Sequence, residues 1–388
     1  MRRYLIATAV ALSACSAALA DTVGDVLKQI AANNLILQSA AHDMRADVLD
    51  IKATNTLGGP SVEYSPFFTK GYSGVAESEL VVSQEIDFPT KYAARSKQAQ
   101  MQQTVGYQLL AKQRRDILLQ AQLVCIDVIR LNQSLAMLRE RLSNSETLLQ
   151  MYEKRMEAGD ANALELNKVK IDCMEVRTLV GEAEGERTAL LQQLNGGKPI
   201  DVSSTELPHY EPIVDFEQYR ALAVASDADV AVAQTALRAA DMNLKVQKSE
   251  WLPSISFGYR RNTEQREAIN GFMVGVSFPL YSNSSNVKAA RERRQSAELQ
   301  VQQAQHDAEA SLRTSYEQLQ GLQQVIDHSD VKLLQESLTL FRKALQQGEI
   351  TALAYYVEIN SIYEKLQRHI DLHSQSVKLL AELHRNEL

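Results

Sequence analysis

The stretch Gly271–Gln300, GFMVGVSFPLYSNSSNVKAARERRQSAELQ, decides how the chain folds. Phe272, Val274, Val276, Phe278 and Leu280 alternate with Met273, Gly275, Ser277 and Pro279. An extended chain therefore carries bulky apolar groups on one face and mostly small ones on the other. Pro279 and the Ser-Asn-Ser-Ser-Asn run at 282–286 end the strand, and a long charged helix is expected beyond them. The same plan occurs earlier, in SELVVSQEIDFPTKYAARSKQAQ (Ser78–Gln100). There Leu80, Val82, Ile86 and Phe88 make the apolar face, a proline again follows the phenylalanine, and Ala-Ala-Arg recurs at 93–95 and 289–291. A strand feeding a helix, found twice, points to duplication.

Working outward, the two halves follow one order. Apolar residues at helical spacing (Val26, Ile30, Leu37, Ala41, Val48, Ile51) predict a first helix from Asp21 to about Leu57. Gly58-Gly59-Pro60 breaks it, and strands are expected at about 61–68 and 79–88. A helix of roughly 65 residues follows. It has a heptad seam through Leu110, Ile117, Val124, Leu131, Leu138, Ser145 and Tyr152, with companions from Ala121 to Met156. Gly159-Asp160 turns the chain into a second helix, about Ala163 to Leu194. In the second half a helix from about Asp215 to Glu250 precedes strands at about 254–262 and 271–280, joined by a loop from Arg260 to Asn270. One long helix then carries Leu312, Leu319, Ile326, Leu333 and Leu340, turns at Gly348-Glu349, and is followed by a last helix. YEKRMEAGDANALEL (152–166) aligns with FRKALQQGEITALAY (341–355) at an offset of 189 residues, and Pro60-Ser61-Val62 aligns with Pro253-Ser254-Ile255 at 193. The expected organisation is a signal peptide at 1–20, repeats at 21–198 and 214–388, and a Pro/Gly-containing linker at 199–213.

Bulk properties narrow the function classes. A net charge of -7 without a basic run argues against nucleic acid as a partner. Arg2 and Arg3 precede an apolar run, Leu5–Leu12, too short to span a bilayer, so an export signal is expected. Two processing readings stand: cleavage after Ala18-Leu19-Ala20, or a lipobox-like Leu12-Ser13-Ala14-Cys15 that would make Cys15 a lipidated first residue. Cys125 and Cys173 lie on the two arms of the first helical hairpin, offset by about 30 Å of helix at ~1.5 Å per residue. Two separate buried thiols are therefore expected rather than a disulfide, which needs Cα atoms within ~7 Å.

Strands of 8–10 residues with one apolar and one small or polar face suit lipid on one side and water on the other. Four strands cannot close a barrel, and open edges in lipid leave backbone groups unpaired at several kcal/mol each. Several copies must share one barrel. Helices of about 60 residues, roughly 90 Å long, belong outside an ordinary globular domain.

Here the chain resembles the TolC family of outer-membrane efflux channels. The residues that carry the resemblance are the LPSISF that opens the third strand, the SQEIDFP and VSFPLY strand ends, and the doubled aromatic-x₆-Gly tip followed by Ala-Leu. The resemblance implies a mainly α fold with a transmembrane β part: a homotrimer sharing a twelve-stranded barrel, continued by a coiled-coil tunnel through the periplasm. It also implies docking to a periplasmic adaptor and an inner-membrane transporter of the resistance-nodulation-division (RND) class. ELVVSQEIDFPTKYAAR is most similar to the heavy-metal branch of the family, which makes metal cations a candidate cargo.

The family's periplasmic entrance is often narrowed by acidic residues after each tip glycine. On that pattern Glu165 and Glu358 are candidate constriction residues, and Gly159, Asp160, Gly348 and Glu349 are candidates for adaptor docking. A solvated helix face and simple backbone turns account for the same residues. His369 and His373 (HIDLH) share a helical face at the spacing of zinc or copper ligands. With Ile370 after the first histidine and no third ligand in view, packing is the reading kept, and neither a metal nor a cofactor is expected. Arg260, Arg261, Arg266 and the Tyr72 region are expected in extracellular loops, and Tyr64, Phe68, Phe278 and Tyr281 as interfacial aromatics. The chain has no nucleotide-binding loop, nucleophile triad or metal-hydrolase signature, so it reads as a passive duct and not an enzyme. A periplasmic adaptor, or a structural coiled-coil protein of the envelope, is the alternative; neither calls for two hairpins with four membrane-type strands.

Overall fold

A computed structural model describes residues 23–53, 55–71, 73–159, 162–194, 200–264, 267–279 and 283–388. Asp160, Cys15, Tyr72, Arg266 and Tyr281 lie outside the described residues, as does the segment 1–20 expected to be a signal peptide. Helices α1 (Val23–Asn33) and α2 (Leu35–Ala53) lead into strands β1 (Ser61–Phe67) and β2 (Glu77–Asp87). Next come α3 (Pro89–Glu157), α4 (Ala163–Leu194), α5 (Phe216–Ala225) and α6 (Ala228–Ser249). Strands β3 (Ser254–Glu264) and β4 (Glu267–Ser277) precede α7 (Asn283–Asp327), α8 (Val331–Gln346) and α9 (Ala352–Leu383).

Several boundaries differ from those expected, each for a local reason. The first helix is interrupted at Asn34, whose N–H still reaches Ile30 O at 2.9 Å. The helix expected over 215–250 is two helices, because Asp227 accepts from the amides of Asp229 and Val230 and so begins a new one. The long helix of the second half ends at Asp327 and restarts at Val331 behind Asp330, which caps Leu333 N at 2.9 Å. The expected Arg260–Asn270 loop is strand at both ends: Arg260 pairs with Val81 and Gly271, and Arg261 with Leu80 and Asn270. Arg260 also makes an ion pair with Glu79 across the sheet, so its charge is matched within the β segment rather than displayed on a loop.

The chain divides into two compact units. One holds residues 35–119, 211–321 and 379–388 and contains an antiparallel meander in the order β1-β2-β3-β4. Its register sets Val62, Val82, Tyr259 and Phe272 side by side, and next to them Gln84, Phe257 and Val274, then Ile86, Ile255 and Val276. Directly paired residues share a face, so the bulky positions of all four strands gather on one side. Ser61, Ser83, Gly258 and Met273 form the matching row on the other. Small size is required at Gly258, where a Cβ would come within 2.9 Å of the backbone oxygen of Val82. The apolar side is bare. Phe272 is 92% exposed, and Tyr64, Phe257, Val274 and Val276 are also exposed.

At the end of β2 a group of four charges fastens strand to helix. Lys91, 4% exposed, reaches Asp87 at 3.2 Å and Glu250 at 3.5 Å, and Arg95 reaches the same two carboxylates at 2.7 Å each.

The described residues of the other unit, which fall within 23–34, 120–210 and 322–378, are mostly helical. Here α3 is buried on more than its heptad seam: Val124, Cys125, Ile126, Val128 and Ile129 are all enclosed. Cys125 and Cys173 are buried, free thiols. Burial pushes the Cys125 thiol up to about 12, which leaves it protonated and inert.

Candidate functional site at the hairpin tips

Each helical hairpin of the second unit turns on a glycine of positive φ, +78° at Gly159 and +76° at Gly348. Glycine enters this left-handed region without the steric cost that a Cβ brings. At the second tip Gly348 N donates to Leu345 O at 3.2 Å and Glu349 N to Ala344 O at 2.9 Å. This pair of bonds is the Schellman closure, which satisfies carbonyls that a helix end otherwise leaves open.

The helices leaving the tips start differently. Asn162 Oδ1 accepts from Glu165 N at 2.9 Å, and the Glu165 carboxylate accepts in return from Asn162 N at 3.4 Å. Glu165 is thus the third residue of a capping box. In the second repeat Thr351 caps Ala354 N at 3.2 Å, and with alanine at that position no reciprocal bond forms. Glu358, one turn further along α9, is exposed.

Behind the tips the two hairpins share one core. Leu148, Tyr152 and Val169 of the first pack with Leu345, Ala352, Tyr355, Tyr356 and Ile359 of the second. Burial raises the phenol of Tyr355 to about 12 and drives that of Tyr356 higher still. Lys168 lies 5.9 Å from the Tyr356 ring centre and Arg155 5.2 Å from that of Tyr152.

A charge pair crosses this core. Asp172, 1% exposed, accepts from Arg141 at 2.9 Å and from Ser145 Oγ at 2.6 Å. The Arg141 guanidinium also donates to Asn360 of α9 at 2.9 Å and lies 4.9 Å from the Tyr363 ring centre. One guanidinium therefore links α3, α4 and α9. Sequence reasoning passed over it, although an aspartate flanked by the buried Val169, Cys173 and Val176 was a visible signal that its helix face meets a base.

His369 and His373 lie one turn apart on α9, with ring centres 6.1 Å apart and planes inclined by 31°. Among the described residues no group of three or more His, Cys, Asp or Glu side chains is placed to hold a metal ion, and no helix is long and apolar enough to cross a membrane.

This combination of a bare-faced four-stranded meander and paired helical hairpins matches known proteins. The profile of the outer membrane efflux protein family matches residues 26–196 and 220–385. The chain belongs to that family. Among solved structures it is similar to the outer membrane protein VceC of Vibrio cholerae, at 15% identity and a TM-score of 0.73, over 94% of this chain and 95% of that one. It is also similar to the CmeC outer membrane channel of Campylobacter jejuni, at 12% identity and a TM-score of 0.77, over 94% and 85%. CusC, whose structures concern transmembrane channel formation, matches at 17% identity and a TM-score of 0.76 over 95% and 92%. No curated protein sequence matches the chain. The membership makes this an outer-membrane efflux channel protein and not an enzyme, as its strand and hairpin motifs led one to expect.

Proposed function

We propose that three copies of the chain close one twelve-stranded barrel and form the passive exit duct of a tripartite efflux assembly. In this reading an inner-membrane transporter of the RND class supplies the energy, and a periplasmic adaptor meets the hairpin tips around Gly159, Asp160, Gly348 and Glu349. Three copies of Glu165, and of the exposed Glu358, would set an acidic rim at the entrance that favours cations, metal ions among them.

One observation carries the proposal: the meander has an apolar face open to its surroundings and two outer strands, β1 and β4, each with one neighbour only among the described residues. Such a sheet is satisfied in lipid only when its edges meet those of further copies. Cysteines placed at Ser65 of β1 and Met273 of β4, treated with a short bis-maleimide in outer-membrane vesicles, should give covalent dimers and trimers and nothing larger. Recovery of monomer alone from the doubly substituted protein would overturn the shared barrel. For the entrance, single-channel recording of Glu165→Ala should show reduced cation selectivity; unchanged selectivity would remove that residue from the rim.

A further inference from the structure

The histidine pair on α9 is not used by the conduit reading, and its geometry supports more than packing. Zinc–imidazole bonds of about 2.0–2.1 Å at a tetrahedral angle put the centres of two rings that share one ion about 5.2 Å apart. The rings stand 6.1 Å apart, so closing them by about 1 Å through side-chain rotation brings both onto one ion, and the i, i+4 spacing keeps both rings over the same turn. His373 is exposed, so an ion can arrive from solvent. His369 is half-buried, and its Nδ1 is shielded from water with no hydrogen-bond partner. Metal-bound histidines normally have the second ring nitrogen fixed by a carbonyl or carboxylate. At His369 no such bond is present, so the structure sets neither tautomer in advance.

We infer that His369 and His373 form a two-imidazole site for a borderline divalent transition ion (Zn²⁺, Cu²⁺ or Ni²⁺), completed by water or a small exogenous ligand. The donors exclude Ca²⁺ and Mg²⁺, which require oxygen. Two protein ligands with open positions make a labile site, unlike a closed structural one with four.

The test is calorimetric titration of the untagged, chelator-treated, detergent-solubilised full-length protein with Zn²⁺, in the presence of excess Mg²⁺. One Zn²⁺ per chain is expected. His373→Ala, at an exposed position, and His369→Gln should each weaken binding about tenfold or more. His306→Ala, an exposed histidine on α7, should leave it unchanged. Zn²⁺ should also raise the melting temperature of the wild type and not that of His373→Ala. Absence of Zn²⁺ uptake by the wild type, or equal uptake by wild type and His373→Ala, would overturn the site. Because the site needs no barrel, its failure would leave the conduit reading standing.

Discussion

The long helices of the two repeats part company at one place. At the repeat offset of 189 residues, Arg139-Glu140-Arg141 of α3 stands opposite His328-Ser329-Asp330, the break between α7 and α8. Arginine and glutamate lose little on entering a helix interior, whereas serine and aspartate compete for backbone bonds and favour caps. The structure shows that competition: Ser329 Oγ donates back to Val325 O at 3.2 Å, and Asp330 accepts from Leu333 N. In the first repeat the same position carries Arg141, which binds Asp172 and Asn360. Duplicated halves have thus come to differ where one needs an unbroken helix to hold a buried cation. The other has exchanged that cation for a cap.

The largest effect is expected at the buried pair. Asp172→Ala leaves the Arg141 guanidinium enclosed without its anion, which costs about 3–5 kcal/mol. A clear drop in the denaturant midpoint would show it, and Arg141→Met with Asp172→Leu should recover most of the loss. If Asp172→Ala unfolds like the wild type, the contrast between the repeats carries no energetic weight.

The glycine turns are where the repeats agree, so they should respond alike. Gly159→Ala and Gly348→Ala each force a Cβ into the left-handed region, at about 1–2 kcal/mol. Thermal unfolding should fall by similar amounts for the two; a difference of several-fold would mean that one tip relaxes and the other does not.

Capping sharpens the comparison on a smaller scale. Asn162→Ala and Asp330→Ala should each cost about 1 kcal/mol. Hydrogen exchange should quicken at Glu165 N in the first variant and at Leu333 N in the second. Ala354→Glu supplies the residue that completes a capping box behind Thr351, and should stabilise by a few tenths of a kcal/mol.

The smallest effect concerns the tyrosines behind the tips. A phenol whose folded pKa is raised to about 12 releases its proton in the unfolded chain first, near the ordinary value of 10. Its stabilising contribution is therefore complete below pH 10 and is lost as pH rises from 10 to 12. Tyr355→Phe should flatten unfolding over that window. Tyr356→Phe should be nearly neutral at pH 7, because its buried hydroxyl has no partner to lose.

What the sequence disclosed, and what it hid, follows from the range of the interactions involved. The alternation in Gly271–Ser277 and Ser78–Ile86 placed the apolar side chains of β4 and β2 on the face the register shows, because a period of two is a property of the chain itself. The glycines of the two tips were visible because a turn after an unbroken seam demands them. The helix breaks at Asn34, Ser226–Asp227 and His328–Asp330 were missed because each lies inside a run of otherwise helical residues, and at the last two the new helix is set by a local aspartate cap. The expected strand at 254–262 already took in Arg260 and Arg261, but their charges also suggested a solvent loop running to Asn270; Glu79, 181 residues away, receives Arg260 instead. Distance along the chain likewise hid the Arg141 contacts, 31 residues to Asp172 and 219 to Asn360. Glu165 was found for its charge, and its bond to the Asn162 amide emerged only with backbone geometry.

The two outer strands of the meander also bear on kinetics. A chain that has formed every hydrogen bond available within itself still leaves one side of β1 and of β4 without a neighbour. On the shared-barrel reading, the last step of maturation is therefore a collision between chains and not a rearrangement of one. Its rate climbs with the local abundance of the protein, and a cell making too little of it would accumulate idle, protease-sensitive halves of a reaction rather than a smaller number of finished pores.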